Sequence, residues 1–485
     1  MPREFLTDAQ RRQYGRYEGE PDEAQLTRYF HLDDTDRALT ENCRGDHNRL
    51  GFALQLTTVR FLGTFLSDPT QVPHSVLKFV ALQLANTGVD SLGNYMNRRA
   101  TRLSHRAEIQ SHYGYQDFNT PPWRFRLSRF LYSRAWISNE RPSLMFDIGT
   151  AWLIQNKVLL PGTTTLQRLI IEIRERASNQ LWRRLASLPT AEQKAALEAL
   201  LVVPKELRIS PFDRFRKGPV SISGPSFISA VERYSELQAF GLHKLDFSGV
   251  PSVRFKSIAR QAGIFSQWQI ARMPDDKRLG TLVAFVKAFE INALDDALDV
   301  LDLLITDIAG KAKRLGKKKR LRTLKDLDRS ALTLAQVCAL VLNEEMDDDK
   351  LRAAIYACVP KSQLKQSIAT INEIARPPEG HFHEEMVEQY GRVRRFLPTL
   401  LNNIRFECAP AGANTMAALD YLNELGPTRK KTLDDAPLEI ISKSWRRLVF
   451  DPQDRVTTRC YTLCFLDKLQ DSLRRRDVYV SNSDR

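Results

Sequence analysis

An apolar residue at every third or fourth position is the feature that most limits this chain, because that period belongs to a helix and not to a strand. The stretch 49–66 sets Leu50, Ala53, Leu54, Leu56, Val59, Phe61, Leu62 and Phe65 on this rhythm, and Asp68-Pro69 then breaks it. Pro73 opens the next helix at a first-turn position, where its missing N–H is no loss, and that helix is expected to reach residue 86. The stretch 163–188 follows a Pro161-Gly162 turn and lines up Leu166, Leu169, Ile170, Ile173, Ala177, Leu181 and Leu185 on one face. Thr190 and Gln193 have the spacing of a capping box for the helix after it. The run 280–309 repeats the pattern with Leu282, Phe285, Val286, Phe289, Leu294, Leu298, Leu301, Leu304 and Ile305. A mainly α protein is predicted.

At 485 residues the chain has room for about three or four domains. Seams rich in Pro and Gly divide it into 1–141, 142–210, 211–378 and 379–485, with a basic loop at 311–325 inside the third segment. The best strand signal is 477–481, Asp-Val-Tyr-Val-Ser, at the far end. A strand needs neighbours. None is evident, so this one is expected to await a sheet supplied by further residues.

Charge narrows the function. Lys and Arg number 72 against 58 Asp and Glu, a formal net charge of +14, which draws polyanions to the surface. Between residues 98 and 134 the acids are Glu108 and Asp117, while arginine recurs. Thr101 is expected to cap a helix over 101–112, which would carry Arg102, His105 and Arg106 within two turns. The order helix 73–86, short segment 91–96, basic helix last is that of a helix-turn-helix-like reader of duplex DNA. Tyr95, Arg98, Arg99, Thr101, Arg102, His105 and Arg106 are the candidate contacts there, with Arg124, Arg126 and Arg129 behind them on the phosphate backbone. The competing reading is a solvated helix face with its arginines paired locally. Arg168 is a further candidate, although Glu172 and Glu175 could neutralise its neighbours. Lys317, Lys318, Lys319 and Arg320 belong to the basic loop, read as an arm that tracks phosphates.

Signals for catalysis are missing. The six cysteines are scattered and read as free, buried thiols of a reducing cytoplasm. Asp295, Asp296, Asp299 and Asp302 fall opposite a leucine stripe and read as a solvated face. His381, His383 and Glu384 have no third ligand nearby, so neither a metal nor a cofactor is expected. The sequence contains no Walker-type glycine loop and no nucleophile elbow. No run of ~20 apolar residues marks a membrane span.

Several spaced blocks resemble one family. They are the stretch 50–66 with Val72-Pro73; Tyr95, Arg98, Thr101, Arg102, His105, Glu108 and Ile109 with Gly114-Tyr115 and Phe118; and Lys157 to Gly162 with Leu166 and Arg168. Together they are similar to the N-terminal half of the Tn-three family of replicative transposases. The resemblance is clearest over 1–190 and runs more weakly to 473–480. It implies a helical front half that binds the terminal inverted repeats of a transposable element. It also implies a back half, an RNase-H-like domain with an Asp-Asp-Glu metal triad, that is absent from these residues. The expected partner is therefore double-stranded DNA at inverted repeats in the bacterial cytoplasm and nucleoid, with homodimerisation left open and no catalysis by this chain alone. The rival classes are a helical scaffold or regulator that meets an acidic protein or blocks DNA ends, and a nuclease active by itself.

Overall fold

The computed structural model describes residues 4–85, 88–205, 208–343, 347–374, 381–426, 430–481 and 483. They are overwhelmingly helical, as the period requires, and fall into two compact units. The first comprises Met1–Lys194 and Asp246–Ala284; the second comprises Ala195–Leu245 and Phe285–Arg485. Chain contacts thus divide the protein near 194, 245 and 284, whereas the Pro- and Gly-rich seams lie near 141, 210 and 378.

The first unit has two cores. One surrounds the helix Asp46–Leu62, which is enclosed on nearly every side from Leu50 to Val59 and contributes Leu50, Phe52, Ala53, Leu54, Leu56 and Val59 to the core. The helices Asp34–Glu41, His74–Gln83 and Arg99–Tyr113 and the 3₁₀ turn Gly88–Asn97 pack round it. Gly63, at φ +72°, ends the central helix in the left-handed region, where a side chain would be strained. The second core joins the helices Trp123–Ile137, Pro142–Gln155 and Thr163–Ser187 through Leu127, Leu131, Met145, Phe146, Leu166 and Ile170. The capping box forms as predicted: Gln193 N donates to Thr190 Oγ1 at 3.2 Å and Thr190 N donates to Gln193 Oε1 at 3.0 Å.

In the second unit the helix Gly224–Gln238 packs against Tyr390–Asn403, with the rings of Phe227 and Phe396 edge to face at 5.5 Å. The helix Thr458–Arg475 buries Tyr461 and Phe465 between Ala413–Leu425 and Lys443–Val449. A helix of 67 residues, Asp275–Val341, begins in the first unit's part of the chain and continues in the second's.

Four expectations need correction. The basic stretch 311–325 is part of that long helix and not a loop. The strand 477–481 has its neighbour inside the chain: Val478–Tyr479 pairs antiparallel with Glu407–Cys408. Asp296 and Asp302 are not simply solvated, because Asp296 meets Arg233 and Asp302 accepts from Gln470 and Arg474. The cysteines are free, but Cys338 and Cys358 are exposed and only Cys43, Cys460 and Cys464 are buried. His383 is buried with its ring edge on to Trp445 at 4.3 Å, which makes it part of a core. The side chain of His381 lies outside the described residues.

Candidate nucleic-acid interface

The expected reading helix exists, but it starts earlier. It spans Arg99–Tyr113 with Arg98 as its N-cap residue, so Thr101 sits inside the first turn and does not cap it. No acid lies in that first turn. The positive end of the helix is therefore left to other anions.

The inward face of this helix holds Arg102, His105 and Arg106, three of the residues expected to meet DNA, and the preceding 3₁₀ turn sets Tyr95 against it. Tyr95 is 1% exposed and His105 8%. Arg106 Nε donates to Gln55 Oε1 at 3.1 Å, and its Nη2 donates to the carbonyl of Leu66 while the guanidinium lies over Phe65. Arginine can only donate, so Gln55 must offer its oxygen to Arg106 and its amide N–H to the Tyr95 oxygen. The phenol proton is then left for His105 Nδ1, 2.9 Å away, and Nε2 faces Cys43 Sγ at 3.7 Å. Burial holds the His105 imidazole below its usual pKa and lifts the Cys43 thiol to about 11, so both are neutral in this network. Arg102, half-buried, directs Nη1 at Met96 Sδ at 2.8 Å. Tyr95 and His105 do not reach the surface, and Arg106 is committed to tying its helix to the central one. Gly51 makes this possible, since a Cβ there would overlap the Tyr95 ring.

The outward face presents Arg98, Arg99, Ala100, Leu103, Ser104, Ala107, Glu108 and Ser111, with Glu108 as its single acid. Period alone separates the two faces. Positions 102, 105, 106 and 109 follow the i, i+3, i+4, i+7 stripe of a core, and Ile109 anchors it.

The helix Trp123–Ile137 exposes Arg124, Arg126 and Arg129, with Arg126 over the Trp123 ring at 5.2 Å. Among the described residues no carboxylate lies within 4 Å of Arg98, Arg99, Arg124, Arg126, Arg129 or Arg168. Inward arginines of the same unit behave differently. Arg134 grips Glu140 at 2.6 Å, and Arg174 donates to the carbonyl of Glu140. Arg124 and Arg176 also line a groove of about 410 Å³ with Phe125, Ser128 and Glu172. Lys317 and Lys318 are exposed on the long helix; the side chains of Lys319 and Arg320 lie outside the described residues. The first unit therefore buries Tyr95 and His105, half-buries Arg102 and Arg106, and leaves a separate set of unneutralised arginines in water.

Residues 5–173 match a family model described as a domain of unknown function, DUF4158. Transposases align with the whole chain. It is 54% identical to the transposase for transposon gamma-delta of Escherichia coli K12 over all of its residues, which cover 48% of that protein. It is 27% identical to the transposase for transposon Tn501 of Pseudomonas aeruginosa, again over the whole chain and 48% of the relative. Against the transposase for transposon Tn1546 of Enterococcus faecium the figures are 24% identity, 99% of this chain and 49% of the relative. The chain spans about half the length of the curated relatives it matches. It is similar, end to end, to the N-terminal half of the transposases of the Tn-three family.

Proposed function

We propose that these residues take part in DNA transposition by gripping the terminal inverted repeats of a transposon as double-stranded DNA. The observation that carries the reading is the set of exposed arginines without carboxylate partners in the first unit, on a chain similar throughout to half of a transposase. An arginine that serves folding is held from within, as Arg106 is by Gln55 and Arg134 by Glu140. Arg98, Arg124, Arg126, Arg129 and Arg168 are left for phosphates. Sequence is read by the outward face of Arg99–Tyr113, where Ala100, Ala107 and the serines allow close approach and Arg99, Ser104 and Ser111 offer hydrogen bonds to base edges. The preceding helix His74–Gln83 and the 3₁₀ turn complete a helix-turn-helix-like module. Cytoplasmic action on the nucleoid, by two copies holding two ends, belongs to the same proposal.

Strand cleavage is not assigned to these residues. Binding is tested by titrating the protein against a duplex bearing the element's terminal repeat and against a scrambled duplex at several salt concentrations. The expected result is tighter binding to the repeat and a steep log–log fall with salt; a flat salt response overturns the reading. Supercoiled plasmid incubated with the protein and Mg²⁺ should stay uncut.

A further inference from the structure

From Phe247 to Pro274 the chain contains no Asp or Glu, yet it carries Arg254, Lys256, Arg260 and Arg272. Most of this segment is two helices of the first unit, Ser252–Ile264 and Gln267–Ala271. The inner face of the longer helix buries Arg254, Ile258, Ala259 and Ala262. Arg254 turns inward there: its fork donates to Asn139 Oδ1 at 2.8 Å and Ser178 Oγ at 3.0 Å. The outer face runs Val253, Lys256, Arg260, Ile264, at spacings of three, four and four, and every one of these side chains is exposed. Val253 is 58% exposed and Ile264 78%. Trp268 lies four residues beyond Ile264, on the second helix, 54% exposed, with the Arg272 guanidinium 5.0 Å from its ring centroid. Among the described residues no carboxylate lies within 4 Å of Lys256, Arg260 or Arg272.

A folding role does not account for this face. An indole left half in water forgoes the burial that usually retains tryptophan. Among the described residues, Lys256 and Arg260 have no counter-charge to offset their mutual repulsion. Both features are explained by a polyanion that also offers flat apolar rings. We infer that the outer face of Ser252–Ile264 and Gln267–Ala271 is a second nucleic-acid surface, on which Lys256 and Arg260 hold phosphates and Trp268, backed by Arg272, stacks an unpaired base at a strand end or junction. An acidic protein segment would satisfy the charges but would leave the exposed indole unexplained. The inference does not depend on assigning duplex binding to Arg124, Arg126 and Arg129.

The test uses the full chain and two DNA probes of one sequence, a blunt duplex and the same duplex with a single-stranded tail. Wild type should bind the tailed probe more tightly. Lys256→Ala/Arg260→Ala should weaken binding and lower the log–log salt slope by about two. Trp268→Ala should cost on the order of tenfold on the tailed probe and little on the blunt one. Trp268→Phe, which keeps an aromatic face and guards against a folding defect, should retain most of the preference. Wild-type salt slopes for the double variant overturn the proposal. So does equal treatment of the two probes by wild type and Trp268→Ala, or a poly-glutamate peptide that binds wild type and loses that binding in Lys256→Ala/Arg260→Ala. The triple change Arg124→Ala/Arg126→Ala/Arg129→Ala should weaken both probes alike. Its failure to do so would remove the first interface and leave this one standing.

Discussion

The Tyr95 hydroxyl lies 2.9 Å from His105 Nδ1, and the two rings stack with centroids 5.6 Å apart. This pair clamps the 3₁₀ turn to the proposed reading helix, and the bare backbone of Gly51 leaves room for it. Gly51→Ala should therefore force the phenol out of place and cost about 1–3 kcal/mol of stability, the usual range for overpacking a filled core. Chemical denaturation measures the loss, and repeat-specific affinity should fall with it. An unchanged denaturation midpoint would remove the clamp.

Acid should loosen the same clamp. Burial depresses the His105 pKa in the folded chain, whereas the unfolded chain takes up its proton near the ordinary value of about 6.5. Below that value the unfolded state binds more protons, so this contribution is complete above about pH 6.5 and is lost as the pH falls toward the depressed folded value. His105→Gln should flatten the wild-type decline in stability between about pH 7 and 5. Urea midpoints of both proteins across that range decide the matter; parallel curves exclude His105 as the source.

Asp36 is wholly buried and accepts from Arg60 Nη2 at 2.9 and 3.0 Å, and from the hydroxyl of Tyr113 at the end of the reading helix. Asp36→Ala strands both partners. The cost should be about 3 kcal/mol, the lower end for breaking a buried pair, because Arg60 keeps a quarter of its side chain in water. Thermal melting reads it. A shift no larger than that of an ordinary surface change would mean that water replaces the carboxylate freely.

The exposed arginines of Trp123–Ile137 should act on every sequence equally. Replacing Arg124, Arg126 and Arg129 together by Ala should cut the log–log salt slope by about three units while the ratio of specific to random affinity holds. Arg99→Ala with Ser104→Ala should do the reverse, lowering that ratio with a smaller change in slope. Anisotropy titrations with the two duplexes separate these outcomes.

What the sequence reveals here depends on how local the cause is. The capping box of Thr190 and Gln193 is a four-residue device and is legible in full. So is the central helix, whose apolar period runs through Leu50, Leu54 and Val59. The reading helix is legible as an element, but charge obscures its facing: Arg102, His105 and Arg106 look like DNA contacts as cations, while their period sets them on the Ile109 stripe, with His105 buried and the two arginines half-buried. Charge alone likewise suggests a loop at 311–325. Lys and Arg are good helix formers, and one glycine at 316 costs about 1 kcal/mol, too little to break a long helix. The outer face of Ser252–Ile264 is faint in the sequence because its cations are few; an absence of acids is harder to notice than a cluster of bases.

The pairing of Glu407–Cys408 with Val478–Tyr479 cannot be read locally, since roughly seventy residues separate the partners. That separation has a kinetic meaning. Gly412 abuts the backbone carbonyl of Asp477 so closely that a side chain there would collide with it, and the seat is thus shaped by segments that must already be folded. A ladder of two residues joined over so long a loop should close late and open early. Its amides should exchange with solvent well ahead of those in the neighbouring helix Thr458–Arg475, so the clasp between these two segments is a weak point of their packing.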